Sequence, residues 1–413
     1  MRYLFVHQSF PAQYVHLLHH LVKQGGHEIV FITASQAQEI AGVRRVLYAP
    51  PSLPSSSVHP AVRELDHAVR RAEAVARVAQ SLKALGYVPD IIIGHHGWGE
   101  LLNIGDVFPN VPVLGYFEFY YHVEGLDVGF DPEFPLTDLA PLLVRCKNAI
   151  NLQALTLPGV GQTPTLFQKG TYPDWAQSKL SLLHEGVDLA RCRPDKTARE
   201  RVLQVGDVRV QPYETLVTYA ARDMEPYRGF HSFMRALPRI LTARPDARII
   251  VVGGNGISYG QHPPGGGSWQ DAMLRELKGQ LDLERIHFVG WQSHEDLIRI
   301  LQRSNAHVYL TYPFVLSWSL REAMAVGCPL VASDTAPVRE FLTDGENGRL
   351  VPFLEPEQIA DGVLELLEDR ALAQRFGRKA RRQACAQFDL KDYLHQYEKL
   401  IDDNVHQVHK ALV

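Results

Sequence analysis

The feature that most constrains the fold is a repeated alternation of short apolar segments with amphipathic ones. In the first half, the predicted strands are residues 3–6, 28–32, 91–93 and 113–116, and the predicted helices are 13–24 and 60–85. Apolar strands joined by helices are typical of parallel sheets that are covered on both faces. The sequence therefore predicts an α/β fold built from doubly wound, Rossmann-like domains.

The pattern restarts near Glu214 and gives a second half of similar size. Its predicted strands are residues 216–219, 247–252, 286–289, 306–310 and 330–332, with a helix at 230–243. We interpret residues 184–188 as the junction, with an N-terminal domain at 1–190 and a C-terminal domain at 191–389. The last helix, 390–413, is expected to pack back on the first domain. Ligands of doubly wound sheets bind outside the carboxyl ends of the strands, which predicts a site in a cleft between the domains.

Composition restricts the classes of function. The 413 residues carry a formal net charge of −4, which argues against a general nucleic-acid binder. The 4 cysteines are scattered without metal-ligand spacing, as expected for a reducing compartment. No run approaches the ~18 apolar residues of a membrane-spanning helix, and the N-terminus lacks a signal-peptide pattern. We therefore expect a cytoplasmic protein, with contact to the inner face of a membrane as an alternative.

Residues 316–334 carry the strongest functional signal. They predict a polar turn, a compact helix, a stop at Gly327 and a buried strand. A helix N-terminus offers free backbone N–H groups and a partial positive charge to a phosphate. Glu322 lies about one turn further along, where its carboxylate can accept hydrogen bonds from a ribose. The segment is either part of a nucleotide-sugar site or an ordinary αβ unit of a parallel sheet.

Two motifs carry a resemblance to a known family. Residues 322–327 read Glu-Ala-Met-Ala-Val-Gly, and residues 222–229 read Arg-Asp-Met-Glu-Pro-Tyr-Arg-Gly. Over nearly its whole length, the chain resembles a GT-B-fold glycosyltransferase of family 4. In that family a Glu-x7-Glu motif places a first glutamate near the donor sugar, and here Phe314 takes its place. The resemblance implies two Rossmann-like domains facing across a cleft and a nucleoside-diphosphate sugar as donor, while Phe314 leaves the sugar open.

The resemblance assigns the diphosphate of the donor to Arg222 and Arg228. They stand for the arginine and lysine that follow the first strand of the C-terminal domain in the family, with one extra residue between them. Two cations at a helix N-terminus hold a diphosphate and stabilise charge on the leaving group. Arginine in the lysine position favours bidentate contact with phosphate oxygens. The alternative is a solvated pair of surface arginines.

Further donor-binding residues are expected at other strand ends. The resemblance assigns this role to Leu316, Ser317, Trp318, Gly254, Gly290 and Trp291. The backbone of the first three is expected to meet the phosphate or the donor sugar, and Gly254 lets the backbone approach the nucleotide closely. Trp291 is predicted either to stack on the base or to be a core or loop residue. Near the N-terminus, residues 7–11 resemble the His-Gln-x-Phe-Pro signature of a subgroup, and the backbone N–H groups of Ala12 and Gln13 are predicted to face the diphosphate.

Polar residues at two strand ends of the first half are candidates for the acceptor side. Of His95 and His96, we predict that His96 faces the cleft and binds sugar hydroxyls. Glu118 stands where many family members have a histidine near the donor sugar, and it is predicted to bond a hydroxyl or to help deprotonate the acceptor. The alternative is a strand-end carboxylate facing water. Residues 121–131 are predicted to form a selectivity lid, and because their acids lack a calcium-loop spacing we predict no metal.

Together these residues predict a retaining, metal-independent, hexosyltransferase-type enzyme of polysaccharide biosynthesis. It would move a sugar from a nucleoside-diphosphate sugar to a hydroxyl of a carbohydrate, lipid-linked or small-molecule acceptor, without a further cofactor. The predicted catalytic residues are Arg222, Arg228, Glu118 and His96. Two alternatives stay open: a GT-B sugar-nucleotide epimerase, and a degenerate GT-B nucleotide-binding scaffold, which Phe314 motivates. The basic helix 60–85 could touch anionic lipid, although its acidic residues dilute the charge.

Overall fold

In this computed structural model, residues 1–36, 39–53 and 56–411 are described, with side chains described to residue 406. The chain forms two compact units. The first comprises Met1–Glu185 together with the chain from Lys391 onward, and the second comprises Gly186–Leu390.

The first unit is built on a seven-stranded parallel sheet with the order β3-β2-β1-β4-β5-β6-β7. Its strands are β1 Arg2–Val6, β2 Glu28–Thr33, β3 Val43–Leu47, β4 Ile91–His95, β5 Val113–Tyr116, β6 Gly161–Thr163 and β7 Leu180–Leu182. Its helices before the junction are α1 Val15–Gln24, α2 Arg63–Ala84, α3 Ile104–Val107, α4 Ala140–Ala154, α5 Leu166–Thr171 and α6 Asp174–Gln177. The order reverses between β1 and β4, which is where ligands bind in sheets of this kind.

The second unit repeats this plan on a six-stranded parallel sheet, in the order β12-β11-β10-β13-β14-β15. The strands of the second unit, including the small antiparallel pair β8 and β9, are β8 Leu203–Val205, β9 Val208–Val210, β10 Thr215–Asp223, β11 Ala247–Gly254, β12 Ile286–Gly290, β13 Ala306–Tyr309, β14 Leu330–Ser333 and β15 Arg349–Val351. Its helices are α7 Phe230–Ala243, α8 Trp269–Glu276, α9 His294–Arg303, α10 Trp318–Val326, α11 Ala336–Arg339, α12 Pro356–Glu368 and α13 Arg370–Gln387. Its reversal point lies between β10 and β13.

The last helix, α14 Leu390–Ala411, returns the chain to the first unit. There the backbone N–H of Val160 donates to the Oδ1 of Asn404 at 2.6 Å. His20 Nε2 also lies 3.0 Å from the Oε1 of Glu398. These contacts tie α14 to α1 and to the loop before β6.

The core of each unit follows from its sequence pattern. In β1 and β2 every residue after the first is buried, as expected for strands covered on both faces. In α10 the seven residues from Leu320 to Val326 are buried, and the helix ends at Gly327, whose φ of 72° suits a residue without a Cβ. The prediction of a doubly wound α/β fold is confirmed.

Two cations of the charged helix α2 are paired with acids of the same helix. Arg70 Nε lies 2.7 Å from the Oδ2 of Asp66, and Arg77 forms a second i,i+4 pair with Glu73. Such pairs are typical of a solvated helix face. No helix among the described residues combines the length and apolar character needed to cross a bilayer.

Candidate functional site

The carboxyl edge of the second sheet gathers the strongest candidate residues. The loops that follow β10, β11, β12 and β13 meet there, on both sides of the reversal point. Gly254 ends β11, and a Cβ built on it would lie 2.4 Å from the Nε1 of Trp291, the residue after β12. A side chain at position 254 would therefore displace the indole, which is 65% exposed. Gly290 itself adopts a φ of 66°, which turns the chain at the end of β12.

Helix α10 begins at Trp318, immediately after Ser317. The backbone N–H of Ser317 donates to the hydroxyl of Tyr309 at 2.9 Å, which fixes the chain that leads into the helix. Trp318 is partly exposed, while Leu316 packs against the core cluster of the second unit. The first turn of α10 thus lies on an anchored segment, as an anion site at a helix N-terminus requires.

Glu322 lies in the second turn of α10 and is held by a histidine that sequence analysis missed. His294, the first residue of α9, places Nε2 at 2.7 Å from the Oε1 of Glu322. The two residues are 28 positions apart, and no motif links them. The hydrogen bond with Glu322 raises the pKa of His294, because the carboxylate favours the charged imidazole.

The two predicted diphosphate cations have different surroundings. Arg222 is exposed near the end of β10. Arg228 is only 5% exposed, and its Nη1 donates to the hydroxyl of Thr311 and to the carbonyl of Val315, both at 2.8 Å. Arg228 therefore fixes the loop after β13 in place, which is a structural role in addition to the predicted contact with phosphate.

Phe314 is 2% exposed and belongs to an aromatic cluster. Its ring makes edge contacts with Tyr259 and Tyr227, at centroid separations of 5.0 and 5.4 Å. The guanidinium carbon of Arg228 lies 5.1 Å from the centroid of Tyr259, in cation–π range. Where the family has a carboxylate beside the donor sugar, this chain therefore has a packed apolar residue next to its buried cation.

Two acids, one at the end of β10 and one in the loop after it, hold the Gly-rich segment that follows β11. Asp223 Oδ1 accepts a hydrogen bond from the N–H of Gly256 at 3.2 Å. Glu225 Oε2 accepts from the N–H groups of Gly260 at 2.8 Å and Tyr259 at 3.1 Å. Glu225 is fully buried, and burial raises its pKa. Sequence analysis missed Glu225, although its place between the two arginines was a signal for it.

The carboxyl edge of the first sheet is lined with histidines and aromatic rings. His95 Nε2 lies 3.6 Å from the Oε2 of Glu118, and Gly97 donates its N–H to the other ring nitrogen of His95 at 2.9 Å. The His95 ring stacks on Trp98 and Tyr116, with centroids 6.0 and 5.2 Å away. Glu118 keeps a partly exposed side chain beside this group. A carboxylate, an imidazole and a partly exposed indole can together bind sugar hydroxyls and a sugar face.

The prediction that His96 faces the substrate is corrected by its position. Its side chain is 3% exposed and packs against Phe117, at a centroid separation of 4.5 Å. It also fills the space above Gly115, where a Cβ would lie 1.9 Å from the Nε2 of His96. Burial lowers the pKa of His96 to about 3, so the ring is neutral at physiological pH. Adjacent residues of a strand end point in opposite directions, and His95 is the one beside Glu118.

The N-terminal signature forms a bend into α1. Ala12 has a positive φ of 52°, and Ala12–Tyr14 forms a single 3-10 turn before the helix. The proposed phosphate contacts of Ala12 and Gln13 remain a prediction. In the segment predicted to be a lid, Asn148 of α4 holds both backbone groups of Tyr121, at 2.9 and 2.7 Å, so the start of that segment is anchored.

Comparison with known proteins identifies the family. A family model described as "Glycosyl transferase family 4 group" matches residues 25–192, and one described as "Glycosyl transferases group 1" matches residues 210–383. The chain belongs to glycosyltransferase family 4. A glycogen synthase from Mycobacterium tuberculosis is 27% identical over 212 residues, which are 51% of this chain and 45% of the relative. The chain thus matches less than half the length of that relative.

Solved structures share the fold of this family 4 chain. A sucrose-phosphate synthase from Thermosynechococcus elongatus superposes with a TM-score of 0.75 and 17% identity, over 98% of each chain. The Anabaena protein HepE, solved in complex with UDP-glucose, gives a TM-score of 0.69 and 16% identity, over 98% of this chain and 100% of that one. These likenesses establish the GT-B fold class.

A cluster in the second unit of the family 4 chain has side chains of the types that bind metals. The ligand atoms of Cys192, His294 and Glu322 lie within 4.8 Å of one another. Burial raises the pKa of the Cys192 thiol to about 12, so the thiol is protonated at neutral pH. Within this cluster, His294 and Glu322 are hydrogen-bonded to each other.

Proposed function

We propose that the protein is a retaining glycosyltransferase that moves a sugar from a nucleoside-diphosphate sugar to an acceptor hydroxyl. The observation that carries the proposal is the carboxylate of Glu322, held by His294 one turn into α10 at the reversal point of the second sheet. This edge is where nucleotides bind in doubly wound folds. Family membership supports the same reaction class.

The donor is proposed to bind along the loops of the second unit. Glu322 accepts hydrogen bonds from the ribose, and Trp291 stacks on the base beside Gly254 and Gly290. Arg222 and Arg228 neutralise the diphosphate. The exposed guanidinium of Arg222 is free to move to the ligand, whereas Arg228 contributes from a fixed position.

The backbone of residues 316–318, at the N-terminus of α10, is proposed to meet the phosphate or the donor sugar. HepE in complex with UDP-glucose makes UDP-sugars the first donors to test.

The chemistry we propose is mostly positioning and charge stabilisation. The bond between the anomeric carbon and the diphosphate oxygen breaks, and the acceptor oxygen bonds to the same face of that carbon. The departing phosphate takes the proton of the acceptor hydroxyl. The protein aligns the two substrates and neutralises the charge that develops on the leaving group. In this mechanism the arginines stabilise the leaving group, and no metal or further cofactor is required.

The acceptor is proposed to bind at the carboxyl edge of the first sheet. Glu118 and His95 offer a hydrogen-bond acceptor and an imidazole beside the partly exposed indole of Trp98. Such a combination suits a carbohydrate or the sugar of a lipid-linked acceptor. A cytoplasmic location is proposed on the basis of four free cysteines. Contact with a membrane surface stays a proposal, for which the cations of α2, two of which pair with acids of the same helix, are weak support.

The deciding experiment incubates the full chain with UDP-, GDP- and ADP-sugars, with and without a panel of oligosaccharide and lipid-linked acceptors. A new glycosidic product that forms only with an acceptor is expected, with the anomeric configuration of the donor retained by NMR. Isomerised or released sugar without an acceptor would instead indicate an epimerase. Inversion of the anomeric centre would contradict the mechanism.

Phe314 favours one second candidate, a nucleotide-binding protein without transferase activity. A buried phenylalanine cannot supply the hydrogen bonds of the family carboxylate, and its aromatic neighbours hold it in place. Nucleotide binding by calorimetry, combined with no transfer across the donor panel, would select this candidate over the transferase.

A further inference from the structure

His294 of the second unit lies beside the carboxylate of Glu322. It begins α9, which packs against α10. Its Nε2 is 2.7 Å from the Oε1 of Glu322, and the two side chains are 41% and 12% exposed. The bond therefore lies at a partly open surface and not in the core. Of the two carboxylate oxygens, His294 engages one.

The other charged and titratable groups that face His294 are Asp188, Arg191, Cys192 and Glu322. Their effects on the imidazole differ in sign. Glu322 and Asp188 favour the charged ring, while Arg191 and burial oppose it. The direct hydrogen bond with Glu322 is the largest influence, and the net effect raises the pKa of His294. The environment thus maintains a histidine that donates to the carboxylate.

We propose that His294 is a positioning residue for nucleotide binding, which orients the carboxylate of Glu322 so that its second oxygen accepts the hydroxyls of the ribose. The inference rests on the proposed function, because it takes Glu322 as the ribose acceptor. An ionised carboxylate has about four lone-pair sites, so one bond to His294 leaves capacity for a ligand. A glutamate side chain has several rotatable bonds, and fixing them before binding lowers the entropic cost of association.

A competing role would make His294 a substitute for the ribose, which must leave before the nucleotide binds. The two roles predict opposite changes when the imidazole is removed. A positioning residue raises affinity, so its loss weakens binding. A substitute opposes binding, so its loss strengthens it.

The test uses calorimetry on the full chain with UDP, GDP and ADP and with their 2′-deoxy counterparts. The variants are His294→Ala, His294→Gln, Glu322→Ala and the control Glu295→Ala, an exposed acid on the next residue. For the wild type, loss of the 2′-hydroxyl is expected to weaken the best nucleotide about tenfold, as for a hydrogen bond to a charged group. His294→Ala is expected to weaken binding of the nucleotide itself several-fold, because the carboxylate loses its fixed orientation, and to shrink the 2′-deoxy penalty. His294→Gln, which retains an N–H donor, is expected to restore most of the nucleotide affinity and most of the 2′-deoxy penalty.

Three other binding results would overturn one of these claims, and the melting temperatures serve as the folding control. If the wild type binds none of these nucleotides, the proposed function and this inference both fail. If Glu322→Ala weakens binding while His294→Ala leaves the affinity and the 2′-deoxy penalty unchanged, the inference fails and the proposed function stands. Tighter binding by His294→Ala would establish the competing role. Equal melting temperatures of the variants would exclude a general loss of folding.

Discussion

The two units share a sheet order but differ in the residues that their strand ends present. At the edge of the second sheet, charged side chains are fixed by named partners: Arg228 by Thr311 and Val315, and Glu322 by His294. At the edge of the first sheet, imidazoles and aromatic rings surround the carboxylate of Glu118. The Oε2 of Glu118 lies 3.6 Å from the Nε2 of His95, which is longer than the contacts at the second edge. The second edge has a preorganised polar geometry, and the first has a looser one.

This difference suits two separate tasks, recognition of the nucleotide at the second edge and recognition of the acceptor at the first. A nucleoside diphosphate presents the same ribose and phosphates whatever the sugar, so fixed donors and acceptors suit it. An acceptor glycan presents weaker and more varied groups, for which an indole face and a partly exposed carboxylate are adaptable contacts. If this division is correct, variants at the second edge should affect nucleotide binding, and variants at the first edge should affect transfer alone.

The largest expected effect belongs to Glu322. Replacing it with alanine removes the proposed ribose acceptor and leaves His294 without its partner. We expect transfer at low donor concentration to fall by about 10²–10³-fold, a loss comparable to that of a preorganised polar contact at an active site. Steady-state kinetics with the best donor would measure this. Glu295→Ala is the matched control, and equal rates for the two variants would remove Glu322 from the site.

Arg228 and Arg222 test whether a buried and an exposed cation play the same part. Arg228→Ala leaves Thr311 and the carbonyl of Val315 without their donor, so we expect it to lower the free energy of unfolding by about 3 kcal/mol. Arg222→Ala should change that free energy by less than about 0.5 kcal/mol. Urea titration would measure both.

Both arginine variants should also weaken nucleotide binding if both cations contact the diphosphate. Calorimetry at a temperature where each variant is folded would check this. Unchanged affinity for Arg222→Ala would leave Arg228 as the only predicted cation of the pair at the diphosphate.

The sequence predicted local structure around residues 316–327 better than it predicted the packing of side chains, for physical reasons. The ends of α10 are encoded locally, by the polar turn before Trp318 and by Gly327. The pairing of Glu322 with His294 depends on how α9 and α10 pack, which no local pattern contains. Strand β3 was missed because two adjacent arginines interrupt the apolar residues of its sequence, Val-Arg-Arg-Val-Leu, and break the alternation typical of a strand. Both adjacent histidines are buried, and which of them lies beside Glu118 depends on strand register, so the sequence prediction selected His96 where the structure places His95.

His96 provides a prediction about how stability depends on pH. The folded-state pKa of His96, about 3, lies below the ordinary value of 6.5, so the unfolded chain binds the proton more readily. The stabilisation is complete above pH 6.5 and is lost as the pH falls toward the folded-state pKa. Between pH 6.5 and 5 we expect a loss on the order of 2 kcal/mol.

The variant His96→Phe tests this by keeping a ring of similar shape above Gly115 while removing the titration. Its free energy of unfolding, from urea titrations at pH 7 and pH 5, should fall less than that of the wild type over the same interval. An identical fall in both proteins would mean that other groups, such as the buried His307, account for the acid sensitivity.

A smaller effect is expected from Glu118→Gln at the first edge. The amide keeps the shape of the side chain but loses the charge beside His95. Transfer to the acceptor should fall about tenfold, as for loss of one hydrogen bond to a charged group. Nucleotide affinity, measured by calorimetry, should stay the same. A parallel loss of both would mean that Glu118 supports the structure of the protein, and the division between the two edges would be wrong.

The smallest expected effect is that of metal removal. The cluster of Cys192, His294 and Glu322 has side chains of the types that bind metals and contains the proposed ribose acceptor. An ion would have to separate His294 from Glu322, now 2.7 Å apart, and to deprotonate a thiol whose pKa burial raises to about 12. We therefore expect turnover after dialysis against EDTA to equal that before it, and added Zn²⁺ to inhibit by occupying the ribose acceptor. Activity that disappears with EDTA and returns with Mg²⁺ or Mn²⁺ would show that the diphosphate is neutralised by a metal, and that Arg222 and Arg228 are insufficient for that task.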